Sequence, residues 1–367
     1  MSSATVLSEE LVMDSCDVVD VLLEAASLAP SGDNTQPWKF SVDRERRSIV
    51  LDIVPARDPS PMNAGQGMSR MALGAALENM SRTAAFNRWD YRVEPLEFEG
   101  LVRFTVERAT SEPGTIEDVV RRRVTNRRAY QQMTLPPDCL QRLCEVGQSV
   151  QNAKVCLLTD PSLLGELVDL ISRADAIMLG TKSVRNGFLS KVRFDRPIHE
   201  PVEEGLSLGS LEVALADRIA LRVLKSLSPS DSLVKLFGGR RAFSRVAKRL
   251  AGSASGFLLV CSTGDGGEQS DVDVGRAWQK MWLGFTEEGL AAQPMMSLLV
   301  LQNMLRNAPG EFSQPDRQTA EKLVNQFNAV VASSGASEET VAAMMRFGKA
   351  SPPTSRVGRL PSGQRAE

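Results

Sequence analysis

Histidine is almost missing: His199 is the single one in 367 residues. That excludes any metal site needing two imidazoles, and it leaves one position from which to build a Ser-His or Cys-His nucleophile system. The five cysteines, at 16, 139, 144, 156 and 261, form no CxxC pair, so neither a zinc knuckle nor a disulfide framework is expected. An odd thiol count with no export signal reads as a reducing cytoplasm. The N-terminal MSSATVLSEELVMDS is acidic and lacks an apolar h-region. The longest apolar stretches, such as Gly256–Cys261 and Met295–Leu301, are far short of a membrane span. No GxGxxG follows a strand pattern, and there is no GxxxxGK[ST], so neither a dinucleotide fingerprint nor a P-loop is present. The glycines of Gly264–Gly267 (GDGG) lead into the polar EQSDVD and read as a surface turn.

Charge of one sign is also lacking. With 43 Lys+Arg against 45 Asp+Glu, the formal net charge is -2. A balance that close gives no broad attraction for nucleic acid or an anionic membrane, so neither is expected as a partner. What is there is ordinary for a soluble globular protein: 42% apolar and 24% charged residues, and a length that suits two domains or one large one.

Helical spacing runs through Ser15–Leu28, stopped by Pro30, and again through Met68–Phe86, where Ala72, Gly74, Ala75 and Ala76 permit close helix approach. Lys39–Val42 and Ser48–Val54 read as strands around the turn DRERR, and Arg103–Glu107, Lys154–Thr159 and Gly256–Cys261 as further strands. Ile116–Arg123, Leu140–Gly147, Val274–Glu288 and Glu338–Phe347 read as helices, residues 161–250 as mostly helical, and 351–367 as an irregular tail. A repeat is visible. VLLEAASLAPSGDNTQPWKFSVD (21–43) and RLCEVGQSVQNAKVCLLTD (142–160) share the order helix, loop, strand; GAALENM (74–80) and GRAWQKM (275–281) share Gly, Ala and Met at matching offsets. This predicts an α+β fold of two fused repeats, an intramolecular pseudo-dimer with halves 1–115 and 116–367. The first copy has DNTQPW where the second has QNAKV, so a site built from both halves is complete on one side only.

Three constellations carry chemistry. APSGDNTQPW (29–38) sets Ser31, Asn34 and Gln36 in a loop freed by Gly32; Asn and Gln suit a planar heterocycle with amide edges, but composition alone favours a plain helix-stop turn with Trp38 in the core. RRRVTNRRAY (121–130) gathers Arg121, Arg122, Arg123, Arg127 and Arg128 around Thr125 and Asn126. Arginine forks hold phosphate oxygens bidentately; the alternative is a solvated basic face paired with Glu117 and Asp118. SRVGRLP (355–361) places Arg356 and Arg359 where either could reach the same phosphate.

Together these segments resemble the nitroreductase family of FMN-dependent oxidoreductases. APSGDNTQPWKF is similar to that family's APSxxNxQPW loop, RRRVTNRRAY to its Arg-x-Ser/Thr-x-Arg phosphate motif, GRAWQKMWLGFTEEGLAAQP (275–294) to its helix ending in a Gly-Leu turn, and RFGKASPPTSRVGRLP to its C-terminal segment. The motif order and the fused repeat resemble the Acg-like branch, whose single chain mimics a homodimer. Val124 departs from the pattern, standing where many members have a second basic residue. The resemblance implies one FMN across the pseudo-interface. Arg123, Thr125 and Arg127 would hold the phosphate, helped by Arg356 or Arg359; Pro30, Ser31, Gly32, Asn34 and Gln36 would flank the ring; Gly289 and Leu290 would offer backbone near its N5 edge. It implies a cytoplasmic oxidoreductase passing hydride from NAD(P)H to a small organic acceptor, with no catalytic side chain and no metal. The alternatives are a flavin-storing protein with little turnover and a flavin-dependent oxidase or dehydrogenase. The chain would act as a monomeric pseudo-dimer or a weak homodimer, with residues 161–250 long enough for a lid.

Overall fold

The computed structural model describes residues 17–98, 100–110, 114–149, 152–198, 200–264, 266–335 and 340–360. The N-terminal segment and His199 lie outside these. In chain order the first half contains α1 (Val18–Ser27), β1 (Trp38–Asp43), β2 (Ser48–Ile53), α2 (Gly67–Phe86), β3 (Asp90–Pro95) and β4 (Val102–Arg108). The short α3 (Asp118–Arg122) follows. The second half begins with α4 (Pro137–Gly147) and β5 (Ala153–Leu158). An insertion then carries α5 (Pro161–Gly180), α6 (Lys182–Lys191), the two-residue β6 (Val192–Arg193) and β7 (Leu206–Ser207), α7 (Leu215–Leu227), α8 (Asp231–Leu236) and α9 (Gly239–Ala251). The chain closes with β8 (Gly256–Ser262), α10 (Glu268–Glu287), β9 (Ala291–Pro294), α11 (Ser297–Asn307), α12 (Gln314–Ser333) and β10 (Thr340–Gly348).

Two four-stranded antiparallel sheets result, ordered β1-β2-β4-β3 and β5-β8-β10-β9. Strand by strand the two orders correspond. In each half one helix precedes the first strand (α1, α4) and a long helix links the second strand to the third (α2, α10). The repeated sequence segments occupy matching places in this scheme. GAALENM lies in α2 and GRAWQKM in α10, and their glycines are where the two helices touch. A Cβ on Gly74 would lie 2.0 Å from the Val272 carbonyl oxygen, and one on Gly275 would lie 2.0 Å from the Met71 carbonyl oxygen. Each glycine therefore meets the backbone three residues before the other. Backbones this close leave no room for any side chain, which is why both positions are Gly. Around the crossing, Gln279 Nε2 donates to Asn79 Oδ1 at 2.7 Å, and Arg276 pairs with the buried Glu78 at 3.3 Å.

Of the segment expected as a last helix, Glu338–Phe347, the first two residues lie outside the described residues and the rest belong to β10, a central strand with Val341 and Ala343 to Phe347 all buried. Ala and Met favour helix locally, but the apolar run Val341–Met345 between two partner strands satisfies its backbone in the sheet and its side chains in the core; tertiary context overrides propensity. The helix expected over Val274–Glu288 starts earlier: the polar EQSDVD is the first turn and a half of α10. β9 escapes detection because its four residues, AAQP, carry no pattern; β3 alternates polar and apolar (DYRVEP), a signal that was there to be read. No helix among the described residues is long and apolar enough to cross a membrane.

Candidate functional site

The loop after α1 is held in an unusual conformation. Gly32 does not take a left-handed backbone; Asp33 (φ 46°), Asn34 (φ 57°) and Gln36 (φ 48°) do. Three such residues in one short loop cost roughly 1–3 kcal/mol each and persist where the surroundings over-determine them. Those surroundings are visible. Asn34 Nδ2 donates to Glu203 O at 3.1 Å and its Oδ1 accepts from Arg359. Gln36 Nε2 donates to Glu203 O at 2.7 Å, and its Oε1 accepts from Leu360 N at 3.1 Å. The loop is thus clamped by the insertion on one side and the C-terminal segment on the other. Trp38, beyond it, is fully buried in the first-half core.

The arginines divide into two classes. Arg121 and Arg122 are exposed and pair with Glu24 and Asp118, a solvated basic face. Arg123 turns inward and is 7% exposed. Its guanidinium lies 4.7 Å over the Trp282 ring, and only Nη2 has a partner, the Leu28 carbonyl at 3.1 Å. Its Nε and Nη1 are buried with no partner. Burial, with Arg359 and Arg356 close by, pulls its pKa down to about 9. A buried cation with orphaned N–H groups, facing further arginines, is a place that an anion would complete. Arg356 donates to the Arg121 and Arg122 carbonyls, and Arg359 to those of Leu28 and Ala29. Arg127 Nη1 donates to Ser210 O at 3.0 Å, and its burial lowers its pKa.

These groups line two adjoining cavities. The first, about 300 Å³, is walled by Pro30, Ser31, Asn34, Arg123, Thr125, Arg127, Arg356 and Arg359. The second, about 250 Å³, shares Pro30, Ser31, Thr125 and Arg127 with it, and adds Gly32, Asp33 and Asp58, the methionines Met62, Met68, Met71 and Met296, and Trp278 and Trp282. One end is cationic and the other flat-walled and apolar. Thr125 reaches this junction through a bridge to Ala292 of β9. The whole motif is pinned from behind by Arg346 of β10, fully buried, which donates to Arg128 O at 2.6 Å and Gln293 Oε1 at 2.8 Å and lies 3.7 Å over Tyr130.

Three of the sequence-derived residues stand elsewhere. Gln36 is a clamp and lines neither cavity. Gly289 and Leu290 line neither as well: Gly289 (φ 67°) ends α10, with Leu290 N bonded back to Phe285 O at 2.8 Å, and the same connection meets the second cavity further on, at Gln293 and Pro294. A helix-stop glycine needs a left-handed backbone whatever the site does. The sequence reading missed Asp33, Asp58 and the tryptophans. Trp278 and Trp282 lie four residues apart on the helix of the repeat, a legible signal. Asp33 is pushed up to about 6, chiefly by burial against the opposing pull of Arg127, and burial likewise raises Asp58. Among the described residues no group of three His, Cys, Asp or Glu could hold a metal ion.

No family model matches the chain. Uncharacterized protein MT1398 of Mycobacterium tuberculosis is 27% identical over 293 residues, 77% of this chain and 39% of the relative, so the chain spans about two fifths of that protein's length. Among solved structures, the chain is similar to the nitroreductase with bound FMN from Bacteroides fragilis, with 13% identity, 64% of this chain and 87% of that one covered and a TM-score of 0.34. It is also similar to the FMN-dependent nitroreductase NfnB from Mycobacterium smegmatis in complex with NADPH, with 15% identity, 68% and 95% covered and a TM-score of 0.37. At such scores the likeness carries no functional weight, and the site must speak through its own residues.

Proposed function

We propose that the joined cavities hold FMN and that the protein is a flavin-dependent oxidoreductase. The observation that supports this most is Arg123, a buried guanidinium with two orphaned N–H groups at one end of a cavity whose other end is walled by tryptophan and methionine. A phosphate answers the first and a flat ring the second, and joined cavities of this size suit a small-molecule site of roughly 300–1,000 Å³. In this reading Arg123, Thr125 and Arg127 bind the phosphate. Arg356 and Arg359, already tied to carbonyls, add field rather than direct forks. Ser31, Gly32 and Asn34 border the ring, and Trp278 and Trp282 shield it from water. Asp33, part-protonated near neutral pH, can hold or release a proton at the ring cavity. Bound FMN would supply hydride chemistry, with NAD(P)H as donor and a small organic molecule as acceptor.

We further propose that the two halves descend from one duplicated unit. The matching strand orders and the reciprocal Gly74–Gly275 contact support it, and so does the uneven repeat. One FMN per chain follows, because the sequence APSGDNTQPW, which makes the clamped left-handed loop after α1, has no second copy. The absorption spectrum of the purified protein, with denaturation to release the cofactor and chromatography to identify it, tests the reading. FMN near one per chain supports it; FAD, no flavin, or two per chain each overturns part of it. NAD(P)H consumption then separates a reductase from a flavin-holding protein.

A further inference from the structure

The whole-chain charge hides a strong local imbalance. Residues 215–251 carry nine Lys or Arg against Asp217 and Asp231, a net of +7 in a chain of -2. The same stretch is apolar where it meets water. Of the ten large apolar side chains exposed among the described residues, seven lie here. Leu215, Ile219, Val223 and Leu227 follow one another at four-residue spacing along α7, and Leu233, Leu236 and Phe237 continue the exposure through α8, Phe237 at 82%.

The core does not account for this stripe. α7 has no buried residue, and its other face is already in use: Leu221 and Leu224 wall an apolar cavity of about 330 Å³ together with Phe243 and Val246 of α9. The outward stripe is therefore a second apolar face on one helix. Basic residues accompany it, Arg218, Arg222 and Lys225 on α7 itself and more along α8 and α9. Arg222, Lys235, Arg241, Arg245 and Arg249 are exposed, and none has a carboxylate partner within ion-pair distance among the described residues. An amphipathic helix with an apolar stripe and Lys/Arg at its margins is built to lie in a membrane interface, its apolar side sunk into the headgroup boundary. A second copy of the chain fits less well, because a two-fold contact sets a patch against itself and here would oppose one basic face with another, even with Arg240 and Lys248 paired to Asp316 and Asp169.

We propose that the α7–α9 face docks this protein on an anionic lipid bilayer. Apolar insertion of Leu215, Ile219, Val223 and Phe237 supplies depth, and the basic rim supplies selectivity for negative headgroups. The proposal does not rest on the flavin reading.

The test is co-sedimentation of the full chain with phosphatidylcholine vesicles, and with vesicles containing a quarter phosphatidylglycerol, at low and high salt. The protein should pellet with the anionic vesicles at low salt, and salt or neutral vesicles should release it. The triple variant Arg222→Gln, Arg241→Gln and Arg245→Gln should weaken partitioning by roughly 100-fold, at about fivefold per basic residue. Ile219→Glu with Val223→Glu should abolish it while leaving the circular dichroism spectrum unchanged, since both side chains are in solvent. Protein left in the supernatant with anionic vesicles overturns the proposal, as does equal binding to neutral ones. So does a dimer in analytical ultracentrifugation that the same Ile219/Val223 variant dissolves, which would make this face a self-interface.

Discussion

The two halves use one strand order with very different connections. In the first, β1 returns as β2 through the four-residue turn Arg44–Arg47; in the second, β5 returns as β8 only after the whole of α5–α9. Both returning pairs are antiparallel neighbours with six paired positions. A hairpin thus tolerates a long insertion without losing its pairing, as expected when closure entropy grows only with the logarithm of loop length. The loops before the first strands differ the other way. After α1 the chain makes three left-handed residues and a clamped pocket wall; after α4, among the described residues of the passage into β5, one is left-handed, Asn152. Frame and chemistry are therefore separable here. The frame is what the halves share, and the site is made from what they do not.

The comparison breaks most visibly at the shared crossing. Gly275→Val sets a branched side chain against the Met71 carbonyl, and the helices must part; we expect a loss above about 4 kcal/mol or failure to fold, read by chemical denaturation. Gly74→Val should behave alike. If one position tolerates valine and the other does not, the crossing is not symmetric in energy.

Arg123 tests the unshared part. Arg123→Ala should weaken FMN binding by about 10- to 150-fold, corresponding to roughly 1.5–3 kcal/mol for a charge-assisted fork. Arg127→Ala should weaken it within the same range, and Arg→Lys should restore only part, a point charge being a poor substitute for a planar fork. Arg121→Ala or Arg122→Ala should change affinity little, since exposed pairs contribute about 0–1 kcal/mol. Titration of apoprotein by flavin fluorescence separates these. Equal effects at Arg121 and Arg123 would place the phosphate elsewhere.

The smallest effect concerns Asp33. Its pKa is raised on folding to about 6. The neutral carboxyl is the form the fold prefers, so its stabilising contribution is complete below the unfolded value near 4 and is lost as pH rises through about 6. Asp33→Asn should therefore flatten the pH dependence of stability between about pH 4 and 6 and leave the protein more stable at pH 7 than the parent. Unchanged melting curves across that range would mean that Asp33 is better solvated than its setting implies. His199→Ala should leave hydride transfer intact in flavin-loaded protein; its loss would reveal an acid–base role.

Much of this was legible in the residues. Helical periodicity located α1 and α2 to within a few residues, and the two arginine-rich segments and the APSGDNTQPW loop do converge on one cavity system. Local pattern could not place β10, because Ala-Ala-Met-Met is helix-prone until sheet partners on both sides claim it. Nor could it tell Arg123 from Arg121: the same residue type two positions apart differs only in that Arg121 stands on the exposed side of a five-residue helix and Arg123 just past its end, where the chain turns extended. Asp33 was hidden because what perturbs it, burial together with the charges of Arg127, Asp58 and Lys191, comes from segments remote in sequence. The basic face of α7–α9 was in plain view but cancelled in the whole-chain sum; a windowed charge count would have found it.

The glycine crossing also bears on how such a chain can evolve. Two subunits from one gene share every codon, so a substitution at a symmetric contact lands on both sides at once. Gly74 and Gly275 have separate codons. Selection can hold both fixed while the loops on either side drift independently, one toward DNTQPW and the other toward QNAKV. If the halves descend from one duplicated unit, as proposed above, such a chain can surrender one of two ancestral pockets, turn the freed surface and its long hairpin insertion to another use, and keep its frame throughout.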